Sequence, residues 1–292
     1  MKRARLIYNP SAGREEVRKR IPDILNVLEE AGYETSCHAT RGEGDATLAA
    51  RKTVDNRFDL VIAAGGDGTV YEVINGIAEQ RYRPALGIIP AGTTNDFARA
   101  IGLPRSIMKA VGVIAKGKPS PIDIGKINNK YFINIAGGGM LTTLTYEVPS
   151  KVKTMLGQLA YYIKGIEKLP FLSPMHVRFE MDGRVIDEEI MLFLIANSNS
   201  VGGFEKLVPN AKLNDGLFDC IILKKTSLPE FIRIATMALK GDHLKHPNVI
   251  YFQTKQLKAT ASERVDLNLD GELGSRLPCT FTALPRHIQL IR

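Results

Sequence analysis

The order of apolar segments in the first part of the chain is the feature that most restricts the fold. Over residues 1–121, short strand-like runs alternate with segments whose apolar residues recur at helical spacing. The strand-like runs are 6–8, 35–40, 60–64 and 85–89, and the helical segments are 21–28, 46–54, 70–77, 96–101 and 107–114. This alternation predicts an α/β fold with a doubly wound parallel sheet, which binds ligands at the carboxyl ends of its strands.

The pattern changes after Pro119 and Pro121. Short strand-like runs, many of them alternating, then dominate at 131–135, 175–181, 190–196, 218–223, 249–254, 265–269 and 279–284. Two helical segments interrupt them, at 152–169 and 229–240. We therefore predict two domains, an α/β domain over 1–121 and an antiparallel β-sandwich or barrel with two helices over 122–292.

Composition narrows the class of protein and its partners. The 292 residues leave room for two buried cores, and 39 basic against 31 acidic residues give a net charge of +8, which favours a polyanionic partner. No apolar run approaches the roughly 18 residues that span a bilayer, and residues 1–10 hold no signal-peptide core, so we expect a cytoplasmic protein. Three scattered cysteines without a C-x-x-C pair argue against a disulfide framework or a zinc site.

Turns of small, polar and glycine residues follow three of the predicted parallel strands. Their sequences are NPSAG at 9–13, GGDGT at 65–69 and PAGTTND at 90–96. One such turn alone often does no more than connect a strand to a helix. Three at one sheet edge predict a phosphate site, because glycines let backbone N–H groups approach an anion and a helix N-terminus adds positive charge.

Asp67 lies within the second of these turns. A carboxylate there would repel a phosphate unless a metal ion or hydrogen bonds absorbed its charge, so it predicts magnesium chemistry. The alternative is that Asp67 caps the helix starting near Thr69. Neither the P-loop sequence nor the dinucleotide fingerprint occurs in this chain.

The third turn continues as PAGTTNDFAR over 90–99. With LNDGLFD at 213–219 and DGE at 270–272, these motifs resemble those of the diacylglycerol kinase catalytic-domain superfamily of lipid kinases. The resemblance covers nearly the whole chain in order. It implies a kinase that uses ATP and Mg²⁺ to phosphorylate the hydroxyl of diacylglycerol, giving phosphatidic acid.

The resemblance also implies roles for particular residues. Asp67 and Asp96 would join a network of nucleotide, water and magnesium, and Glu272 would be the general base. A structural magnesium would be bound by the Asp215 side chain and the main-chain carbonyls of Lys212 and Leu217. The ATP site would be lined by Asn9, Pro10, Ser11, Ala12, Gly13, Thr40, Gly66, Asp67, Gly68, Thr69, Val70, Tyr71, Glu72 and Thr93.

Chemistry independently suits Glu272 to this role, because a lipid hydroxyl has a high pKa and a carboxylate that accepts its proton speeds transfer. The alternative is a solvated residue beside an Asp-Gly hairpin turn.

Lysines and apolar residues over 150–169 form a basic amphipathic pattern that, with the basic residues of 14–20, predicts transient contact with an anionic membrane. The alternative is a core-facing helix with solvated lysines. We expect Arg14 and Lys164 to flank the catalytic cleft.

Other functions stay open at this point. A kinase acting on a sphingoid base, ceramide, a glycolipid or NAD would share many of these motifs. A non-catalytic protein that binds ATP and a membrane is a further alternative. No nucleic-acid-binding motif is visible. The sequence leaves open whether the protein is a monomer or a homodimer.

Overall fold

The structure is a computed structural model that describes residues 1–139, 174–199 and 206–292. The chain divides into two compact units, Met1–Ile124 together with Pro285–Arg292, and Gly125–Leu284. The last strand is shared between them, because its first half belongs to the second unit and its second half to the first. Within the described ranges, no helix combines the length and the hydropathy that crossing a bilayer requires.

A parallel sheet forms the first unit, which confirms the predicted α/β fold. The strand order is β2, β1, β3, β4 and the end of β15, with every neighbouring pair parallel. The elements are β1 (Lys2–Tyr8), a 3-10 turn (Ala12–Glu15), α1 (Glu16–Lys19), α2 (Ile21–Glu30), β2 (Tyr33–Ala39), α3 (Asp45–Asp55), β3 (Leu60–Gly65), α4 (Asp67–Ile77), β4 (Ala85–Pro90), α5 (Asp96–Ala100), α6 (Ile107–Lys116) and β5 (Pro119–Ile127), with β15 (Cys279–Ile291). The last three residues of β5 belong to the second unit.

The core of this unit follows from the pattern of apolar residues. Every residue of β3 is buried, as expected for a central parallel strand covered on both faces. Ile24 and Leu28 lie one helical turn apart on α2 and pack into the same cluster as the strands. The helix ends at Glu30, and Gly32 follows with φ 89°, a conformation that glycine adopts without strain.

Antiparallel strands form the second unit, as the sequence predicts. The strand order is β14, β13, β7, β9, β8, β12 and the start of β15, and β10 pairs with both β9 and β11. The elements are β6 (Lys130–Phe132), β7 (Ile135–Gly139), β8 (Met175–Met181), β9 (Arg184–Ala196), β10 (Phe218–Lys224), α7 (Leu228–Lys240), a 3-10 turn (His243–Lys245), β11 (Val249–Thr254), β12 (Gln256–Ala261), β13 (Asp266–Leu269) and β14 (Glu272–Arg276). The predicted helix at 152–169, with Lys164, lies outside the described residues.

One predicted strand, 131–135, is divided in the structure. β6 ends at Phe132 and β7 begins at Ile135. The division occurs because the backbone N–H groups of residues 133–135 donate to the side chain of Asp270 rather than to a neighbouring strand. The interior nearby is aromatic, with the Phe179 and Phe193 ring centroids 5.2 Å apart in an edge-to-face contact.

Candidate active site

Loops that follow neighbouring parallel strands meet at one edge of the first unit's sheet. The Asn9 N–H donates to the Ala64 carbonyl over 3.0 Å, and the Ala91 N–H donates to the Gly65 carbonyl over 2.8 Å. Thr40 joins this edge, because its N–H donates to the Tyr8 carbonyl over 2.9 Å. The structure therefore brings the three glycine-containing turns and Thr40 together, as the strand order predicts.

Glycines allow two of these turns to touch through their backbones. A Cβ built on Gly92 would lie 2.5 Å from the Gly66 Cα, which is closer than real Cβ contacts. Gly13 adopts φ 57°, and a Cβ there would lie 3.1 Å from the Ala91 carbonyl oxygen. A side chain at Gly92 would force the turns apart, so glycine is required for this compact edge.

Asparagine side chains hold the first and third turns in shape. The Asn9 Oδ1 accepts a hydrogen bond from the Ser11 N–H over 3.0 Å. Asn95 binds both backbone groups of Gly92, with Oδ1 accepting over 2.8 Å and Nδ2 donating over 2.7 Å. No role for Asn95 was predicted from the sequence, although an asparagine one residue before a helix is a recognisable signal for a cap or a turn.

The second turn leads directly into α4, with Gly66 as its N-cap residue. Asp67 and Gly68 are half-buried in the first turn of this helix, where the helix dipole favours an anion. The side chains of Thr69 and Val70 are buried. Within this stretch of the predicted ATP site, Thr69 and Val70 therefore offer a ligand their backbones rather than their side chains.

Glu72 has a clear structural contact at the start of α3. Its Oε1 accepts from the Gly44 N–H over 3.0 Å and its Oε2 from the Ala46 N–H over 2.9 Å. Its own carbonyl accepts from the Thr47 hydroxyl over 3.0 Å. A residue predicted to line the ATP site thus caps a neighbouring helix, which supplies no capping side chain of its own.

A cavity of about 570 Å³ opens beside the first and third turns and lies entirely in the first unit. Gly13 and Thr93 of the predicted ATP site line it, and so do Arg99 and Arg105. Arg99 also forms an ion pair with Asp96 one helical turn away. Arg99 ends the PAGTTNDFAR motif, but the sequence assigned no role to either arginine, because single basic residues in a chain with many of them carry little signal.

The second unit holds the remaining predicted residues. Glu272 is exposed, begins β14 and pairs with Leu269 of β13. Asp215 and Lys212 are exposed, and the Asp215 Oδ1 accepts a hydrogen bond from the Leu217 N–H over 3.1 Å. The structure thus brings Asp215 and Leu217 together in one tight turn.

A buried carboxylate near that turn, Asp219, ends the LNDGLFD motif, and the sequence assigned it no role. Asp219 is 1% exposed and accepts hydrogen bonds from the Tyr251 hydroxyl over 2.5 Å and the Gln253 amide over 3.0 Å. Burial raises the pKa of Asp219 above its usual value, although these two hydrogen bonds oppose the shift. Such a partnered carboxylate stabilises the strand that follows the Asp215 turn.

The packed glycine turns at the carboxyl edge of a parallel sheet, followed by an antiparallel unit, define an α/β enzyme class that handles phosphate groups. The family described as "Diacylglycerol kinase catalytic domain" matches residues 3–127. The family described as "YegS C-terminal NAD kinase beta sandwich-like domain" matches residues 141–292.

Similar proteins extend this match over the whole chain. A diacylglycerol kinase of Bacillus subtilis is 58% identical over 100% of this chain and 96% of its own length, and one of Staphylococcus aureus is 52% identical over 99% and 92%. The crystal structure of a diacylglycerol kinase from Bacillus anthracis superposes with a TM-score of 0.85 at 30% identity, covering 99% of this chain and 96% of that one. The chain therefore belongs to the diacylglycerol kinase family, whose members are lipid kinases.

Proposed function

We propose that the protein transfers the γ-phosphoryl group of ATP to the free hydroxyl of diacylglycerol, giving phosphatidic acid and ADP. The observation that carries this proposal is the backbone contact between Gly66 and Gly92, which packs two phosphate-type turns at one sheet edge. The names of the relatives support the lipid acceptor. The role of the other residues follows from the demands of phosphoryl transfer.

The nucleotide site proposed here is formed by the turns of the first unit. Its members are the Asn9–Gly13 turn, Thr40, the Gly66–Glu72 segment and Thr93. Backbone N–H groups and the N-terminus of α4 bind the phosphates, while Arg99 and Arg105 add positive charge to the adjoining cavity. Fixed donors of this kind stabilise the negative charge that develops on the phosphate during transfer.

The residues present fit a catalytic magnesium that is held mainly by substrate. In the parts of the chain that the structure describes, no three His, Cys, Asp or Glu side chains cluster into a metal site. Magnesium suits such surroundings, because it retains several waters and commonly binds one or two carboxylates plus substrate phosphates. Asp67 and Asp96 would hold it through water, and the ion would neutralise charge on the transferring group.

A second magnesium is proposed at the turn that contains Asp215. The exposed Asp215 carboxylate lies at this turn and accepts the Leu217 N–H, and carboxylate and carbonyl oxygens are the hard ligands that magnesium prefers. The Asp215 carboxylate and the carbonyls of Lys212 and Leu217 would bind it. Its role would be to order the turn rather than to take part in transfer.

Glu272 is the proposed general base. The lipid hydroxyl loses its proton to the Glu272 carboxylate as its oxygen bonds to the γ-phosphorus, and the bond from that phosphorus to the bridging oxygen breaks to release ADP. Replacing Glu272 by Gln keeps the size of the side chain but removes the proton acceptor. We expect kcat with micellar diacylglycerol to fall about 10² to 10⁴-fold, and retention of most of the activity would remove Glu272 from this role.

A substrate panel separates this proposal from its alternatives. Labelled ATP is offered with diacylglycerol, sphingosine, ceramide, a glycolipid or NAD as acceptor, and product is counted in each case. Diacylglycerol is expected to give the highest kcat/KM. Turnover with none of them, together with salt-sensitive binding to vesicles, would favour a non-catalytic protein that binds ATP and a membrane.

We also propose that the protein works transiently at the cytoplasmic surface of a membrane. Arg14, Arg18 and Lys19 are exposed at the start of the first unit. Each basic residue near an anionic leaflet contributes about 1 kcal/mol to binding. The expected result is sedimentation with vesicles that contain phosphatidylserine, weakened by salt and by charge reversal at these positions, and equal binding to neutral vesicles would contradict it.

A further inference from the structure

The carboxylate of Asp270 makes an unusual set of contacts in the second unit. It accepts hydrogen bonds from three consecutive backbone N–H groups: Ile133 to Oδ2 over 2.7 Å, and Asn134 and Ile135 to Oδ1 over 2.9 Å each. The Asp270 N–H in turn donates to the Ile135 carbonyl over 2.9 Å. Hydrogen bonds to an ionised acceptor are roughly twice as strong as neutral ones, so these contacts hold the Asp270 side chain strongly to the backbone of residues 133–135.

Asp270 is also the first residue of a two-residue hairpin turn. Leu269 and Glu272 pair across β13 and β14, and between them Asp270 has φ 54° and Gly271 has φ 98°. Two consecutive positive φ values define the type I′ turn that favours Asp-Gly or Asn-Gly. The Asn268 Oδ1 accepts the Gly271 N–H over 2.9 Å and holds the turn from its inner side.

The segment to which Asp270 is tied is itself held by buried side chains. The Asn197 N–H donates to the Asn134 carbonyl over 2.9 Å, and the Asn197 Nδ2 donates to the Ile133 carbonyl over 2.8 Å. Ser198 donates to the Asn134 side chain. Asn134 and Asn197 are only 4% and 1% exposed. The hairpin turn is therefore attached to a rigid part of the unit rather than left free at its surface.

From these contacts we propose that Asp270 is a positioning residue that fixes the backbone from which Glu272 acts. The turn alone does not require a charged residue, because Asn-Gly forms a type I′ turn equally well. What requires a carboxylate is the set of three N–H donors, which only an acceptor-only side chain satisfies. This inference rests on the proposed role of Glu272 as general base.

The test is Asp270→Asn, measured as ATP turnover with micellar diacylglycerol. Asparagine keeps the turn but presents an NH₂ group to one of the N–H donors. Misplacement of a catalytic group by about 1 Å costs about 10²-fold. We expect kcat to fall 10 to 100-fold while KM for ATP changes less than about twofold. The matched control is Asp266→Asn on the same hairpin, which removes ion pairs with Arg264 and Arg276 and is expected to leave kcat within about twofold.

A double variant separates positioning from general damage. If Asp270 acts through Glu272, adding Asp270→Asn to Glu272→Gln lowers kcat no further, because the group being positioned is already lost. Equal multiplicative losses in the two backgrounds would overturn the proposal. A folded Asp270→Asn variant with the parental kcat would also overturn the positioning role of Asp270, but it would leave Glu272 as the general base. A fully active Glu272→Gln variant would instead show that Glu272 is not the general base.

Asn268→Ala provides a second test of the turn in case the Asp270→Asn protein folds poorly. It removes the acceptor of the Gly271 N–H while leaving Asp270 in place, so a smaller loss of kcat, about 3 to 10-fold, is expected at unchanged KM for ATP. Amide hydrogen exchange gives a readout that does not depend on activity. The N–H groups of residues 133–135 are expected to exchange faster in Asp270→Asn, and parental exchange rates there would contradict the proposed anchoring.

Discussion

Gly92 and Gly66 lie so close that a Cβ on Gly92 would stand 2.5 Å from the Gly66 Cα and 2.9 Å from the Asn95 Oδ1. Two turns from different parts of the chain thus meet through their backbones. We expect Gly92→Ala to lower the free energy of unfolding by about 1–3 kcal/mol, because overpacking forces the backbone to shift. KM for ATP should rise as well, and both effects are measured by denaturant unfolding and steady-state kinetics.

The control for this variant is Gly112→Ala in α6, where a Cβ would meet no heavy atom within 4 Å. Alanine at a helical position is about 1 kcal/mol more favourable than glycine, so this change is expected to stabilise the protein. If Gly92→Ala were as stable and as active as the parent, the close packing of the two turns would not matter for the site.

Glu72→Ala tests the cap that Glu72 provides for α3. Both carboxylate oxygens accept backbone N–H groups at the start of that helix, and losing a cap costs about 0.5–2 kcal/mol of unfolding free energy. The exposed Glu43 lies in the same loop, and Glu43→Ala is expected to stay within about 0.5 kcal/mol. Equal stability of the two variants would contradict the capping role, and a large rise in KM for ATP at a temperature where Glu72→Ala is folded would indicate nucleotide contact.

His243 predicts a dependence of stability on pH. The side chain is 2% exposed, so its imidazole ring lies in the interior of the second unit. Burial lowers the pKa of His243 below its ordinary value of 6.5, so the unfolded state takes up a proton first as pH falls. Stability from the neutral ring is therefore full above pH 6.5 and is lost as pH falls from there through the folded pKa.

The measurement compares unfolding free energies of the parent and His243→Leu between about pH 7 and pH 5. The parent should lose up to about 1.4 kcal/mol more per pH unit than the variant within this window. Parallel curves for the parent and His243→Leu would argue against a buried neutral histidine.

Asp215→Ala tests the proposed structural magnesium. In the parent, saturating Mg²⁺ is expected to raise the unfolding free energy, by about 2.7 kcal/mol at a hundred times the Kd. The variant should lose this gain and also its activity, because the turn is no longer ordered. Asp187→Ala removes another exposed carboxylate of the second unit and should keep the gain. If the unfolding temperature of the parent were the same with and without Mg²⁺, a metal at this turn would be excluded.

Much of the first unit could be predicted from local pattern. The predicted segments at 46–54 and 85–89 correspond to α3 (Asp45–Asp55) and β4 (Ala85–Pro90), because each element carries its own periodicity. In the second unit, 175–181 coincides with β8, but 279–284 is only the start of β15, which runs to Ile291. The continuation was missed because its residues pair in the other unit, and pairing partners leave no local pattern.

The site shows the same division. The sequence predicted that loops rich in asparagine, glycine and aspartate form the site. It also predicted that these loops meet at one edge of the sheet, because ligands bind at the carboxyl ends of parallel strands. The second roles of Glu72 and Asp270 were not visible, because they depend on backbone groups 26 to 28 and 135 to 137 positions away in the chain. The position of Arg99 and Arg105 at a cavity was missed for the same reason, since only the folded cavity distinguishes them from other arginines.

What the chain determined by itself was the type and order of its elements, the Asp-Gly turn before Glu272 and the turns that could receive phosphate. These properties arise from interactions among near neighbours, which a linear sequence displays. Tertiary structure alone decided that Gly66 and Gly92 touch, that Asp270 holds three distant N–H groups and that the last strand serves both units. Such contacts depend on packing distances between remote segments, and those distances exist only once the chain has folded.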